Sequence, residues 1–477
     1  MRMVRGRRGG WLLFLAALWT VRPAAAASLA ERIEEALAGL GPHAVSAVRV
    51  LSLPRREVLY ERNVDLSLNP ASNMKLFTSA ASLALLGPDY RFTTRVLRTG
   101  ERAAGGVLRG DLVLQGGGDP VLESTDLAAL ADAVKAAGVQ RVTGALRVDD
   151  TRYDTERLGS GWSWDNEPYY YSPQISALSV DRNVATVDVL PGKSPGAPAV
   201  VEVRPLEGYL KIVERPSTAE AGTATRLQVT RERGRNELRV TGVIAAGAAP
   251  SRGRTVTVEA PELLAGKLFR KLLVERGVQV AGPVLRGAAP VGAAEVAAHR
   301  SPPLGGIVAL LNKPSDNLIA EMLLKELGHA RTGEGSAASG GKVVRAWLER
   351  LGIDAGGVRV ADGSGLSRMD LVTARAVSDL LVKADAEPWR EVFVRSLPIA
   401  GVDGTLRARM KGTAAENNVR AKTGTLTSVT ALSGYVTTRS GERLVFSILA
   451  NNYQGPATGP TGSKRTEDAI ATALAEE

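Results

Sequence analysis

The chain has 477 residues, of which 44% are hydrophobic and 23% charged, so it is long enough for two or three folded domains and too apolar to be disordered. It contains no cysteine, which excludes disulfides, a thiol nucleophile and cysteine-ligated zinc. The three histidines, His43, His299 and His329, form no metal-spaced pair, so neither a metal site nor a histidine-dependent triad is expected. A catalytic base in this chain should therefore be lysine, glutamate or aspartate.

The N-terminal residues 1–27 have the pattern of a secretory signal. Basic residues precede an apolar stretch at 11–21, and small residues follow, with a cleavage site expected near Ala27. The signal predicts a periplasmic or secreted protein. Its five arginines supply half of the net charge of +10, and the remaining excess does not suit a dedicated nucleic-acid binder. The C-terminal stretch 466–477 ends in acidic residues, so no integral membrane anchor is expected after signal removal.

Helices and strands are predicted at both ends of the mature chain. The first elements are a helix over 29–40, a hairpin over 44–53 and 57–63, and a helix over 72–86 that ends at Gly87-Pro88. The last are helices over 304–312, 315–327, 342–351 and 371–384, a strand over 419–425, a hairpin over 429–438 and 443–451, and a helix over 466–477. The Gly/Ser-rich stretch 333–341 is predicted to be a loop. The two ends are predicted to build one αβ domain together.

The middle of the chain, roughly 96–296, contains an internal repeat. A helix over 127–137 leads into a short valine-containing strand and a glycine, and a helix over 263–276 leads into the same pattern. Two such units are predicted to pair in one αβ subdomain. Between them lie three predicted strands, at 199–203, 226–230 and 237–243, which indicate a smaller β insert nested in the first.

Ser72 and Lys75 lie three residues apart at the start of a predicted helix, a spacing that places both side chains on one helical face. A serine hydroxyl becomes a good nucleophile when a neighbouring base takes its proton, and a lysine with a lowered pKa can be that base. The helix N-terminus brings backbone N–H groups that can stabilise an oxyanion. The pair alone is weak evidence, because Ser339 and Lys342 have the same spacing in the predicted loop.

Ser315-Asp316-Asn317 opens the predicted helix that follows Pro314. The ordinary structural interpretation is that Ser315 is a helix N-cap. A second Ser-x-Asn pattern, at 67–69, shows that this motif is also weak by itself.

Lys422-Thr423-Gly424-Thr425 lies on a predicted strand. Lys422 can hold a carboxylate as a point charge, with the hydroxyls of Thr423 and Thr425 beside it. Gly424 allows a substrate backbone to approach closely. The alternative interpretation is an exposed edge strand that a lysine protects from pairing.

The order of the three motifs is more specific than any one of them: Ser-x-x-Lys on a helix, Ser-x-Asn at a helix start, and Lys-Thr-Gly on a strand. In this order the chain resembles the class C low-molecular-mass penicillin-binding proteins, the D-alanyl-D-alanine carboxypeptidase/endopeptidase family (peptidase family S13). The resemblance extends over the mature chain and includes the stretches 70–76, 118–120, 161–165, 362–368, 404–406 and 421–426.

The resemblance implies a multi-domain α/β fold, with a penicillin-binding transpeptidase-like domain in which an antiparallel sheet is flanked by helices. Two nested inserted domains are expected to interrupt it. The expected division is a signal at 1–27, a catalytic domain at 28–95 and 297–477, an inserted αβ domain at 96–190 and 256–296, and a nested β domain at 191–255.

The resemblance also implies roles for the motif residues. Ser72 would attack the carbonyl between two D-alanines, with Lys75 as base and Ser315 as the proton relay to the leaving amine. Asn317 would bind the substrate amide and help to fix Lys75. The N–H groups of Ser72 and Thr425 would form an oxyanion hole, and Lys422, Thr423 and Thr425 would bind the terminal carboxylate. No cofactor is required, and β-lactams are expected to acylate Ser72.

Asp165, with Trp162, and Arg368 match positions at which relatives recognise the amino and carboxylate ends of the peptide stem. The alternative interpretations are a turn residue for Asp165 and a solvated surface side chain for Arg368. The function expected is a serine-type D-alanyl-D-alanine carboxypeptidase/endopeptidase acting on peptidoglycan peptides. The alternatives are a β-lactamase or esterase on the same scaffold, and a non-catalytic scaffold that binds the cell wall.

Overall fold

The structure is a computed structural model that describes residues 27–456 and 462–477. The predicted signal lies outside the described residues except for Ala27. The helices are α1 (Leu29–Ala38), α2 (Met74–Leu86), α3 (Ser124–Ala136), α4 (Pro261–Glu275), α5 (Leu304–Asn312), α6 (Asn317–Thr332), α7 (Ala337–Arg350), α8 (Ala374–Asp385), α9 (Arg390–Ser396) and α10 (Ser463–Glu476).

The strands fall into two groups along the chain. Those before the long insertion and in its first half are β1 (Val45–Ser52), β2 (Glu57–Arg62), β3 (Thr93–Arg98), β4 (Glu101–Ala103), β5 (Val107–Arg109), β6 (Leu112–Gln115), β7 (Arg141–Val142), β8 (Leu146–Asp149), β9 (Val184–Leu190) and β10 (Val200–Arg204). The others are β11 (Lys211–Glu214), β12 (Ser217–Ala219), β13 (Arg226–Arg231), β14 (Glu237–Ala245), β15 (Ser251–Thr257), β16 (Gln279–Val280), β17 (Val284–Arg286), β18 (Ala294–Arg300), β19 (Arg420–Leu426), β20 (Val429–Thr437) and β21 (Arg443–Asn451).

A five-stranded antiparallel sheet joins the two ends of the chain in the order β19-β20-β21-β1-β2. Side chains of successive strand residues point to opposite faces, so the apolar residues of β21 serve two cores. Leu444, Phe446 and Ile448 pack in a cluster with α1 and α10. Val445 and Leu449 pack in a second cluster with α2, α6 and α8. The predicted antiparallel sheet between helices, built from both ends of the chain, is confirmed.

The internal repeat of the middle region is also confirmed. The strands that follow α3 and α4, β7 and β16, pair in parallel, with Gln279 opposite Arg141 and Val280 opposite Val142. The predicted β insert contains strands β10 to β15, and β9 pairs with both β10 and β15. Buried apolar side chains of both inserts form one continuous cluster. The division of the chain into domains stays a prediction.

The helix predicted over 371–384 begins only at Ala374, because Thr373 is its N-cap. Two further predicted boundaries are wrong because glycines pack closely there. The stretch 333–341 is not all loop, because α7 begins at Ala337. A Cβ on Gly340 would lie 2.0 Å from the carbonyl oxygen of Leu324, so this glycine lets α7 pack closely on α6. Helix α6 does not end at Gly328, which is buried and closely packed, and continues to Thr332 with Gly333 as its left-handed cap.

Within residues 27–456 and 462–477, no helix has both the length and the apolar character that crossing a bilayer requires.

Candidate active site

Ser72 lies in a tight turn that joins two parts of the fold. Residues Ala71–Asn73 form one turn of 3-10 helix that continues into α2. The turn is tied to β19 because Asn73 Nδ2 donates a hydrogen bond of 3.0 Å to the carbonyl oxygen of Lys422. Helix α2 is buried on almost all sides over its first ten residues, so it holds the turn rigidly. Ser72 itself is half-buried and lines an open cleft.

Lys75 is fully buried and its amine lies at the centre of the site. Lys75 Nζ lies 3.0 Å from Ser72 Oγ, 2.6 Å from Asn317 Oδ1 and 2.6 Å from the carbonyl oxygen of Ser364. Burial disfavours the charged amine and lowers the pKa of Lys75 to about 8, although the carboxylates of Asp362 and Glu321 oppose this shift. Roughly a tenth of the Lys75 amine is therefore uncharged at neutral pH, a fraction that rises with pH, and this form can accept a proton from Ser72.

Ser315 and Asn317 lie where α5 gives way to α6. Asp316, not Ser315, is the N-cap of α6, because its carboxylate accepts a hydrogen bond of 3.0 Å from the Ile319 N–H. The interpretation of Ser315 as an ordinary N-cap is therefore wrong. Ser315 has a left-handed backbone, with φ of 66°, and its hydroxyl accepts a hydrogen bond of 2.8 Å from Lys422 Nζ. Such strain at a non-glycine residue is typical of functional sites.

The strand β19 is an edge strand whose free side faces the cleft. Lys422 on it is fully buried, and its amine contacts Ser315 Oγ and the carbonyl oxygen of Thr423, at 2.8 and 2.9 Å. Burial, and to a lesser degree the charge of Lys75, lower the pKa of Lys422 well below its usual range. Thr425 lines the cleft, and a Cβ on Gly424 would lie 2.7 Å from the carbonyl oxygen of Pro70. Gly424 therefore keeps β19 against the Ser72 turn.

A cleft of about 830 Å³ runs past Ser72 and brings together residues from distant parts of the chain. Ser315, Asn317 and Thr425 line it beside Ser72. Asp165 and Arg368 are exposed and line the same cleft. Arg368 Nη2 donates a hydrogen bond of 2.9 Å to the carbonyl oxygen of Thr427. All the site residues predicted from the sequence therefore lie in or directly behind one cleft. Their individual roles are not settled by this placement.

The second Ser-x-x-Lys pattern has none of these features. Ser339 donates or accepts a hydrogen bond of 2.7 Å with Thr332 Oγ1, inside the contact between α6 and α7. Lys342 is exposed. Burial of the lysine separates the two matches, and the sequence pattern alone does not reveal it.

Three buried carboxyl groups behind Lys75 were missed by the sequence analysis. Glu321 lies four residues after Asn317 on α6 and accepts hydrogen bonds from the N–H groups of Gly363 and Ser364, at 2.9 to 3.1 Å. These hydrogen bonds to Glu321 fix the backbone of Gly363 and Ser364, and the carbonyl oxygen of Ser364 in turn accepts a hydrogen bond from Lys75. Burial and the neighbouring Asp362 raise the pKa of Glu321 to about 8. The signal available in the sequence was the i, i+4 spacing from Asn317, which places both on one face of α6.

Asp362 and Asp370 complete this carboxyl cluster. Asp362 accepts hydrogen bonds from Gly365 N and Ser367 N at 2.6 and 2.7 Å, and from Trp162 Nε1 at 2.8 Å. Burial and the charge of Asp362 raise the pKa of Asp370 well above its usual range. Asp362 thus fixes the loop 362–368, which carries both the Lys75 acceptor and Arg368.

Replacement of Gly365 by alanine should disturb the site more than a comparable change elsewhere. Gly365 has φ of 78°, and a Cβ there would lie 1.8 Å from the carbonyl oxygen of Ala71, next to Ser72. Gly352 has a similar φ of 73° with open space around it, so Gly352→Ala is a matched control for backbone strain. Gly365→Ala should cost about 1–3 kcal/mol more of the free energy of unfolding than the control. It should also slow acylation of Ser72, which Gly352→Ala should not. Equal effects of the two changes on both measurements would contradict the close packing described.

Half-buried Ser72 contacts the buried Lys75, Ser315 contacts the buried Lys422, and the edge strand β19 faces the same cleft. This arrangement is typical of a serine hydrolase that uses lysine as its base. Among the described residues there is no cluster of His, Asp or Glu that would hold a metal ion.

Comparison with known proteins assigns the family. The model of the D-Ala-D-Ala carboxypeptidase 3 (S13) family matches residues 28–476. The chain is 44% identical to the D-alanyl-D-alanine carboxypeptidase of Actinomadura sp. (strain R39) over 447 residues, which cover 91% of this chain and 81% of the relative. The chain therefore belongs to the D-Ala-D-Ala carboxypeptidase 3 (S13) family and is a D-alanyl-D-alanine carboxypeptidase of the serine type.

Solved structures agree with this assignment. Penicillin binding protein 4 (dacB) from Haemophilus influenzae superposes with a TM-score of 0.81 at 26% identity, covering 93% of this chain and 98% of that chain. The same protein in complex with a novel β-lactam superposes with a TM-score of 0.77 at 25% identity, covering 94% of this chain and 100% of that chain. The multi-domain α/β fold expected from the sequence is thus confirmed.

Proposed function

We propose that Ser72 is the nucleophile of this carboxypeptidase and attacks the carbonyl of the bond between two D-alanine residues of a peptidoglycan stem peptide. The observation that carries the proposal is the contact of 3.0 Å between Ser72 Oγ and the amine of the buried Lys75. As the C–O bond forms, uncharged Lys75 takes the hydroxyl proton. The backbone N–H groups of Ser72 and Thr425 stabilise the oxyanion of the tetrahedral intermediate.

Breakdown of the intermediate expels the terminal D-alanine. The C–N bond breaks, and Ser315, whose hydroxyl is held by Lys422 at 2.8 Å, relays to the leaving amine the proton that Lys75 took from Ser72. Lys75 is then uncharged again. Water then hydrolyses the ester on Ser72 and restores the free enzyme. A β-lactam forms the same ester, but its leaving group stays attached to the adduct, so release is slow.

Residues on both sides of Ser72 are proposed to bind different parts of the substrate. Asn317 uses Oδ1 to fix Lys75 and one N–H to reach the carbonyl oxygen of Tyr171, at 2.6 Å, which leaves its second N–H for the substrate amide. The hydroxyls of Thr423 and Thr425 bind the terminal carboxylate, and Lys422 supports them from behind. Asp165 and Arg368 bind the charged ends of the peptide stem across the cleft.

The chain is proposed to act outside the cytoplasm. Residues 1–27 form a cleaved signal, which delivers the mature protein to the periplasm or the medium, where peptidoglycan is its substrate. The mature chain is proposed to divide into the catalytic domain, the inserted αβ domain and the nested β domain at the boundaries predicted from the sequence.

Incubation with purified muropeptides tests the proposed function. A pentapeptide monomer ending in D-Ala-D-Ala should lose free D-alanine, and a cross-linked dimer shows by its fragments whether endopeptidase cleavage also occurs. A labelled penicillin should remain attached to the protein. Rapid release of hydrolysed penicillin without D-alanine formation would indicate a β-lactamase instead. Muropeptide binding without any cleavage would indicate a non-catalytic scaffold.

A further inference from the structure

A second, smaller cavity of about 190 Å³ opens beside Ser72 on the β19 side of the site. Its lining combines hydroxyls with two basic side chains, and consists of Ser72, Ser315, Thr405, Thr423, Thr425, Arg409 and Lys464. Thr405 Oγ1 and Thr423 Oγ1 lie 2.7 Å apart, so the hydroxyl-bearing wall is continuous. Because the cavity touches Ser72, Ser315 and Thr425 at once, a group bound in it lies next to the bond under attack.

The cations around this cavity are not equivalent. The amine of Lys422 is buried, is engaged by Ser315 Oγ and the carbonyl oxygen of Thr423, and does not line the cavity. The guanidinium of Arg409 is engaged by two carboxyl groups, because its Nη2 lies 2.7 Å from both Glu467 Oε2 and Asp468 Oδ1. Neither residue therefore presents a free positive charge to a bound anion.

Lys464 is the cation that remains. It lies in the first turn of α10, is half-buried, and forms no ion pair with any residue in the described ranges. The partial positive charge of the α10 N-terminus adds to the charge of Lys464.

The contacts of α10 fix the position of Lys464 relative to strand β19. Thr430 on β20 is the cross-strand partner of Thr425 on β19. Thr430 Oγ1 donates a hydrogen bond of 2.5 Å to Glu467 Oε1 on α10. Glu467 also forms an ion pair with Arg409, and Arg409 Nη2 donates a hydrogen bond of 3.2 Å to the carbonyl oxygen of Lys464. Lys464 is thus positioned by the same network that positions Thr425.

We infer that Lys464 is a specificity-determining residue that attracts the carboxylate on the leaving side of the scissile bond into this cavity. The inference rests on the proposed function, since it assigns that side of Ser72 to the leaving D-alanine. The hydroxyls of Thr405, Thr423 and Thr425 supply hydrogen bonds, and Lys464 supplies the charge that distinguishes a carboxylate from an uncharged amide.

The variant Lys464→Met tests this inference because it keeps most of the length of the side chain and removes the charge. Two substrates are compared, a peptide ending in D-Ala-D-Ala with a free carboxylate and the same peptide ending in a carboxamide. Lys464→Met should lower kcat/KM for the carboxylate peptide roughly 10-fold and leave the carboxamide peptide unchanged. Lys464→Arg should restore most of the preference. Lys411→Met, which removes an exposed lysine from the loop that carries Arg409, controls for net charge and should change neither value.

A second pair of reagents gives the same comparison without peptide turnover. The rate of Ser72 acylation is measured with benzylpenicillin and with its uncharged methyl ester, and Lys464→Met should slow only the former. Equal effects on charged and uncharged reagents, or no effect on either, would overturn the inference. If the unmodified enzyme releases D-alanine and is acylated normally, such a result leaves the proposed function intact. If it does neither, the proposed function itself fails.

Discussion

Replacement of Ser72 by alanine should abolish covalent labelling by penicillin and lower D-alanine release by about 10⁶-fold, as loss of a serine nucleophile does in other serine hydrolases. The change removes the hydroxyl that forms the ester in the proposed mechanism, while Lys75 keeps its contacts to Asn317 and Ser364. The fold should persist, because Ser72 is half-buried and small. Labelling is measured by intact mass, and release by assay of free D-alanine.

The control for Ser72→Ala is Ser339→Ala, at the serine of the second Ser-x-x-Lys pattern. Ser339 bonds to Thr332 in a helix contact, so its loss should reduce stability slightly and leave labelling unchanged. A penicillin adduct that persists at full yield in Ser72→Ala would show that another residue is the nucleophile.

Replacement of Lys75 by methionine should slow acylation of Ser72 by about 10²- to 10⁴-fold, the usual contribution of a general base. Methionine fills most of the buried volume but cannot accept the serine proton. Its thioether also leaves Asn317 Oδ1 and the carbonyl oxygen of Ser364 without their donor, so some loss of stability is expected as well. Stopped-flow measurement of acylation separates the rate effect from the amount of folded protein.

Lys342→Met is the matched control for Lys75→Met, because it changes the lysine of the second pattern. Lys342 is exposed and should be replaceable without effect on the acylation rate. Acylation of Lys75→Met within a few-fold of the unmodified rate would contradict the role of Lys75 as base.

The residues that the sequence singled out as a candidate site lie close together in the structure, and local patterns account for part of that placement. The spacing of Ser72 and Lys75 is fixed by the helix, and Lys422 to Thr425 lie on a strand whose hairpin partner is adjacent in the chain. The order of these motifs along the chain then indicated the family. The meeting of the three motifs in one cleft depends on long-range contacts, such as the hydrogen bond from Asn73 to Lys422. No local sequence pattern encodes such contacts.

The carboxyl cluster behind Lys75 could not be predicted in the same way. Glu321, Asp362 and Asp370 look like ordinary acidic residues in the sequence, and only burial makes them unusual. Burial of an isolated charge is costly, so the cluster depends on the N–H groups of the loop 362–368 and on the nearby lysine. Those partners come from a segment about forty residues away from Glu321.

The errors in helix boundaries have a related cause. Glycine ends helices when it takes a left-handed conformation, but Gly328 and Gly340 serve a close contact between two helices. Lys464 was missed because it lies on a terminal helix whose sequence is unremarkable. Its importance comes from the pairing of Arg409 with Glu467 and Asp468, which leaves Lys464 as the free cation among the described residues that line the small cavity.

The pH dependence of the acylation rate tests most directly whether uncharged Lys75 removes the proton of Ser72. The rate constant for acylation by benzylpenicillin is measured from about pH 6 to about pH 10, where an amine with a lowered pKa loses its proton. Because the pKa of Lys75 is about 8, the rate should rise with pH and level off above that value. The rise should disappear in Lys75→Met. A rate that is flat or falls through this range, or a rise that survives in Lys75→Met, would show that Lys75 is not the base.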